Sequence, residues 1–137
     1  MDLSIYERQG MRIVYDYPPF KRALTAMWPT WSWRCVCAVD EKGGASLGGC
    51  GFSTVKNGTT YAAILGLRPR WASREIYAAI LRMPSAIGAT EIIADCGNNA
   101  RSKAVCRYLG GEEISDGRFK FTSKRCLKRA EEIEHAE

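Results

Sequence analysis

The chain has 137 residues, a formal charge of +5, six cysteines and one histidine. That length suits one domain and leaves little room for two independent cores. Apolar residues at 46% and charged residues at 26% fit a globular protein and exclude wholesale disorder, and no run approaches the ~20 apolar residues of a membrane helix.

Met11–Tyr17 (MRIVYDY) reads as a strand from its β-branched and aromatic content, stopped by Pro18-Pro19. Phe20–Trp28 reads as a short helix with Phe20, Leu24 and Met27 or Trp28 on one face. Trp28–Trp33 (WPTWSW) is a loop carrying three tryptophans. Arg34–Val39 is a second strand and Asp40–Gly44 a turn. Ser46–Val55 is a third strand, weakened by glycines, and Lys56-Asn57-Gly58 turns it into a fourth, Thr59–Leu67. That fourth strand is nearly all apolar, as a central strand buried on both faces would be.

The periodicity then changes. Ser73–Ile87 is helical, with Ser73 as N-cap and Pro84 ending or distorting the last turn. Glu91–Asp95 is a fifth strand. Asn98 or Asn99 caps a helix reaching Leu109, which Gly110-Gly111 ends. Glu112–Ile114 and Arg118–Thr122 form a last strand pair around Asp116-Gly117. The order predicts a single-domain α/β fold over residues 1–122: an antiparallel N-terminal meander, a parallel central strand pair, and flanking helices. Residues 123–137 are expected to add a charged surface helix as a tail.

The N-terminus, MDLSIYERQG, has no basic-then-apolar leader pattern, so a cytoplasmic location is expected. In that setting the six cysteines read as small buried hydrophobes, not as disulfides. No pair has C-x-x-C spacing, and no metal site is expected. A single histidine, His135, leaves no room for a Ser/His/Asp triad. The tail's charges cancel, so the positive excess belongs to the body, where Arg68, Arg70 and Arg74 cluster. That excess suggests an anionic partner. Scattered charge without a binding module argues against nucleic acid, and no membrane partner is expected.

The informative stretch is Leu65–Gly111. A buried strand delivers the chain into a helix whose first turn carries Ser73 and Arg74. Free N–H groups and the positive dipole end make such a helix start an anion site, and the arginines add forked donors. After the next strand comes an Asn-capped helix ending in Leu109-Gly110.

This arrangement resembles the GNAT superfamily of N-acetyltransferases. The resemblance covers most of the chain in element order and Leu65–Gly111 in motif. It implies that strand four and the following loop bind the pantetheine and pyrophosphate of acetyl-CoA, the cosubstrate. On this chain that assigns Leu65, Leu67, Arg70, Ala72, Ser73, Arg74 and Ile76 to the cofactor. Asn99-Ala100-Arg101 and Leu109-Gly110 match the family's second stretch, with Gly111 in place of its aromatic residue, and bring Asn99 to the thiol end. Trp71-Ala72-Ser73-Arg74, Gly88-Ala89 and Asn99-Ala100-Arg101 look most like small GNAT-like proteins encoded by tailed bacteriophages.

Two features depart from the family's pattern. Ser73, Glu75 and Tyr77 stand where the family has small residues that let a pyrophosphate approach the backbone. Cys106 stands where many members carry a general-acid tyrosine, and strand four has no carboxylate. The catalytic candidates are therefore Cys106 as proton donor and Asp95 as a base; their plainer readings are a buried helix cysteine and a loop cap. The tryptophans either frame an acceptor site or cover the sheet.

The resemblance implies an N-acyltransferase in which an unnamed acceptor amine attacks the thioester directly. The alternative is a catalytically degenerate GNAT-like phage protein with a virion or protein-interaction role among phage or host proteins. Trp-rich edges also invite homodimer contacts.

Overall fold

The computed structural model describes residues 10–67 and 74–136. Its framework is a seven-stranded sheet of order β1-β2-β3-β4-β5-β7-β6. The strands are β1 Met11–Tyr15, β2 Trp33–Asp40, β3 Ser46–Ser53, β4 Thr59–Leu65, β5 Glu91–Asp95, β6 Glu112–Ser115 and β7 Arg118–Thr122. The helices are α1 Pro18–Met27, α2 Arg74–Ala86, α3 Ala100–Tyr108 and α4 Ser123–Glu134. Every neighbouring pair is antiparallel except β4–β5. This is the mixed α/β sheet that the element order implied.

Period-two alternation divides β2 between two cores. Val36 and Ala38 face the main core with α2, α3 and α4. Cys35, Cys37 and Val39 face a smaller core with Phe20 and Leu24 of α1. Helices therefore cover both faces, and α1 packs chiefly on the β2–β3 end of its face.

Several boundaries differ from the sequence reading, among them the ends of β3 at Ser53 and of β4 at Leu65. β1 ends at Tyr15, because Asp16 takes a positive φ of 53°. There its carboxylate accepts hydrogen bonds from Arg34 Nε at 2.9 Å and the Cys35 amide at 3.1 Å. Pro18 and Pro19 do not merely stop the strand. They form the first turn of α1, where no N–H is needed and the fixed φ suits a helix. Pro84 lies inside α2, which runs on to Ala86 before Gly88 closes it at φ +84°. The C-terminal helix is amphipathic as well as charged: Cys126, Ala130 and Ile133 are buried against the main core. Arg82 of α2 pairs with Glu134 of α4. No described helix is long and apolar enough to cross a membrane.

The glycines of β3 serve close approach. A Cβ on Gly51 would lie 2.5 Å from Leu24 Cδ1. The bare backbone there lets α1 sit down on the sheet. Replacing Gly51 with Ala is expected to destabilise by about 1–3 kcal/mol through overpacking. Leu24→Ala alone should cost about 2–5 kcal/mol, and the double variant less than the sum. Urea denaturation of the four proteins measures that coupling.

All six cysteines are free; five are buried and Cys96 is half-buried. Burial is the largest cause in each case and pushes every thiol pKa up: Cys37 to about 11, Cys126 to about 12, and Cys35, Cys50, Cys96 and Cys106 in the same direction. A pKa raised by folding stabilises the native state fully below the unfolded thiol value, near ~8.5, and loses that contribution as pH rises toward the folded value. The thermal midpoint is therefore expected to hold up to about pH 8.5 and to fall steadily above it. A midpoint that rises between about pH 8.5 and 10.5 in a calorimetric scan would contradict this.

Candidate functional site

The site follows from a mismatch in strand length. β4 and β5 pair in parallel from Thr59↔Glu91 to Ala62↔Ala94 and no further. β4 continues as a strand through Ala63, Ile64 and Leu65, held on its other side by Gly51, Cys50 and Gly49 of β3. β5 reaches only Asp95, which pairs with Arg118 of β7. The last three residues of β4 thus have one edge without a partner among the described strands. Backbone donors and acceptors on such an edge need partners, and a water or an extended ligand can supply them.

A cleft of about 390 Å³ opens at this parting. One wall is the end of β4, from Tyr61 to Leu65. The other is Asp95 and Cys96 at the end of β5, with Asn99 and Ser102 from the start of α3. Asn99 caps α3: its side-chain oxygen accepts from the Ser102 amide at 3.0 Å. The first turn of that helix, with its remaining free N–H groups and positive dipole end, borders the cleft.

Met27 and the tryptophan loop close the cleft from the α1 side. Trp31 meets Tyr61 edge-on at 5.0 Å between ring centroids and stacks on Trp33 at 6.1 Å. Trp28 tilts against Trp33 at 5.6 Å. The rings therefore cover part of the sheet and line the cleft together. Trp71 lies outside the described residues.

Asp95 is exposed and carries two contacts. Its carboxylate pairs with Arg118 Nη1 at 3.4 Å and accepts from the Gly97 amide at 3.3 Å. Cys96 is on the cleft wall. Cys106 is not: it is 1% exposed, lines a small core cavity, and lies behind Cys96 with the two sulfurs 3.5 Å apart. Burial holds its thiol firmly protonated, and the neighbouring Cys96 adds to the effect.

The structure brings Leu65, Asp95 and Asn99 of the expected site together around the cleft. Leu67 and Ile76 are buried in the main core, and Arg74 is exposed at the first residue of α2. Gly66, at φ +69°, turns the chain out of β4 between Leu65 and Leu67. Arg70, Ala72 and Ser73 lie outside the described residues. Glu75 is exposed, whereas the Tyr77 ring packs inward at 4.9 Å from Tyr108. Tyr108 itself sits under Arg129 of α4, away from the cleft. Tyr61, Cys96 and Ser102 line the cleft although the motif does not single them out. Of these, Tyr61 had a signal, as the one aromatic residue of β4.

The fold recurs in solved proteins. This is the fold of the GNAT acetyltransferases. A candidate acetyltransferase from Acinetobacter baylyi is similar at TM-score 0.59 and 12% identity, over 82% of this chain and 92% of that one. A candidate acetyltransferase from Salmonella typhimurium, solved with its cofactor acetyl-CoA, is similar at TM-score 0.57 and 10% identity, over 84% and 95%. A third, from T. thermophilus, has TM-score 0.56 and 14% identity, over 82% and 73%. No family model matches the chain, and no curated protein matches it in sequence. Among the described residues, no group of His, Cys, Asp and Glu is arranged to hold a metal ion.

Asn99 has a measurable structural role at this site. Asn99→Ala is expected to cost about 1 kcal/mol, and Asn99→Asp or Asn99→Ser to retain most of the stability. Chemical denaturation of the three variants checks the ranking.

Proposed function

We propose that the chain is an N-acyltransferase that takes acetyl-CoA as cosubstrate and an amine as acceptor. The observation that carries this is the free edge of Ala63–Leu65 beside a cleft between two parting parallel strands. The pantetheine arm contains amides, and an inner strand edge offers the complementary amides at ladder spacing. The fold supports the same reading.

In this account the thioester lies where β4 and β5 part. A backbone N–H of β4 polarises its carbonyl oxygen. The amine attacks the carbonyl carbon, the carbon–sulfur bond breaks, and the thiolate leaves toward the start of α3. Asp95, on the cleft wall, takes the proton that the amine loses. For the leaving thiolate we move the donor assignment outward to Cys96, which faces the cleft and regains its proton from solvent there. Arg70, Ala72, Ser73 and Arg74 bind the pyrophosphate, Leu65 receives the pantetheine arm, and Leu67 and Ile76 anchor the two ends of that loop in the core.

One observation favours a second reading, a protein that binds the cosubstrate without turnover and serves an interaction role. Asp95 is the one carboxylate on the cleft wall among the described residues, and Arg118 already pairs with it.

Titration calorimetry with acetyl-CoA and with desulfo-CoA tests the first step. Binding is expected between about 1 µM and 1 mM, the usual range for substrates. Ser102→Trp, which fills the cleft from the surface of α3, should weaken it at least about tenfold, a loss of about 1.4 kcal/mol or more. No heat at millimolar ligand would overturn both readings. Binding without acetylation of a panel of primary amines would select the second.

A further inference from the structure

The cleft wall holds a feature that the transfer reaction does not explain: two thiols in contact. Cys96 Sγ and Cys106 Sγ are 3.5 Å apart, on residues ten positions apart in sequence. Cys96 is the half-buried member and faces the cleft, so a small solute reaches it first. Cys106 is enclosed in the core. Both backbones are held. The Cys96 amide donates to the Gly117 carbonyl at 2.6 Å, and the Cys106 carbonyl accepts from the Gly111 amide at 2.9 Å. A disulfide needs about 2.05 Å between sulfurs, so side-chain rotation that moves sulfur by under about 2 Å closes the gap. The other four thiols are all buried.

The geometry points to Cys96 and Cys106 as a peroxide-oxidised pair that closes into a disulfide at the cleft wall. The chemistry balances with hydrogen peroxide as oxidant. The Cys96 thiolate attacks the peroxide oxygen, the O–O bond breaks, and Cys96 becomes a sulfenic acid as water leaves. The Cys106 sulfur then displaces that hydroxyl, the S–S bond forms, and a second water carries off the Cys106 proton. Two electrons pass from the two thiols to one peroxide. The product draws the Cys96 sulfur from the cleft wall toward the core and ties the β5–α3 loop to the last turn of α3. None of this depends on what the cleft binds.

The surroundings set the rate. The groups facing Cys96 are Asp95 at the end of β5, Cys106 and Lys103 on α3, and Glu113 on β6. Partial burial, then the charges of Asp95 and Glu113, raise its pKa, while Cys106 as a hydrogen-bond partner and Lys103 oppose them. Oxidation is therefore slow at neutral pH and should quicken about tenfold per pH unit up to the thiol pKa.

The test treats the folded protein with hydrogen peroxide at about pH 7.5 and 8.5, blocks remaining thiols, and maps tryptic peptides by mass. Cleavage after Arg101 and Lys103 separates the two cysteines. The bond therefore appears as Met83–Arg101 linked to Ala104–Arg107, about 2 Da lighter than the two reduced peptides. The linked pair is expected to form faster at the higher pH and to vanish on reduction. Cys96→Ser and Cys106→Ser should each abolish it, and Cys106→Ser should leave a Cys96 sulfenic acid that dimedone traps. Because Cys106 is buried, the Cys96→Ser variant carries the control if Cys106→Ser fails to fold. Cys96 advancing to sulfinic acid in the unaltered protein without the link, a link to another cysteine, or no oxidation of either residue would overturn the proposal.

Discussion

The structure depends on one backbone constraint. β4 runs on past the end of β5, so its last three residues pair with β3 on one side and with no described strand on the other. β3 holds those residues in place, while β5 stops at Asp95 and is held by β7 on its far edge. The result is an inner strand edge with no strand partner among the described residues. Buried backbone polar groups without partners cost free energy, so such an edge persists where water or a ligand completes it. The cleft, its walls and the proposed reaction all rest on that edge.

The rest of the chain shapes what reaches it. The bare backbone of Gly51 lets α1 settle onto the sheet, and this places Met27 and the tryptophan loop beside β4. The Asn99 cap orients the first turn of α3 toward the same opening. Asp95 and Cys96 are consecutive residues at the point where β5 leaves the sheet, so the carboxylate and the thiol stand together on one wall. A positive dipole end and a carboxylate then face an aromatic side. That combination can hold a polar thioester and a cationic amine at once.

Much of this was legible in the sequence because it is local. The apolar run of β4, the turn at Lys56-Asn57-Gly58, the Asn99 cap and the 3.6-residue period of α2 each write their own element. Asn99 and Asp95 are both site candidates in the sequence, and both line the cleft. What escaped depends on partners distant in sequence. Nothing local says that Cys106 faces the core while Cys96 faces the cleft, because that is fixed by how α3 rolls against β5. The prolines of α1 read as a stop because a Pro pair is ambiguous between strand end and helix start. The tail helix read as surface from its charge, while three small or apolar residues at helical spacing, Cys126, Ala130 and Ile133, bury its other side.

The central claim is that the free edge of β4 receives the acyl donor. Amide hydrogen exchange with and without acetyl-CoA reads that edge residue by residue. The account predicts added protection at Ala63–Leu65 and at the first turn of α3, with the β1–β2 ladder unchanged. Binding that leaves Ala63–Leu65 unprotected, or protects another face of the sheet, would contradict it.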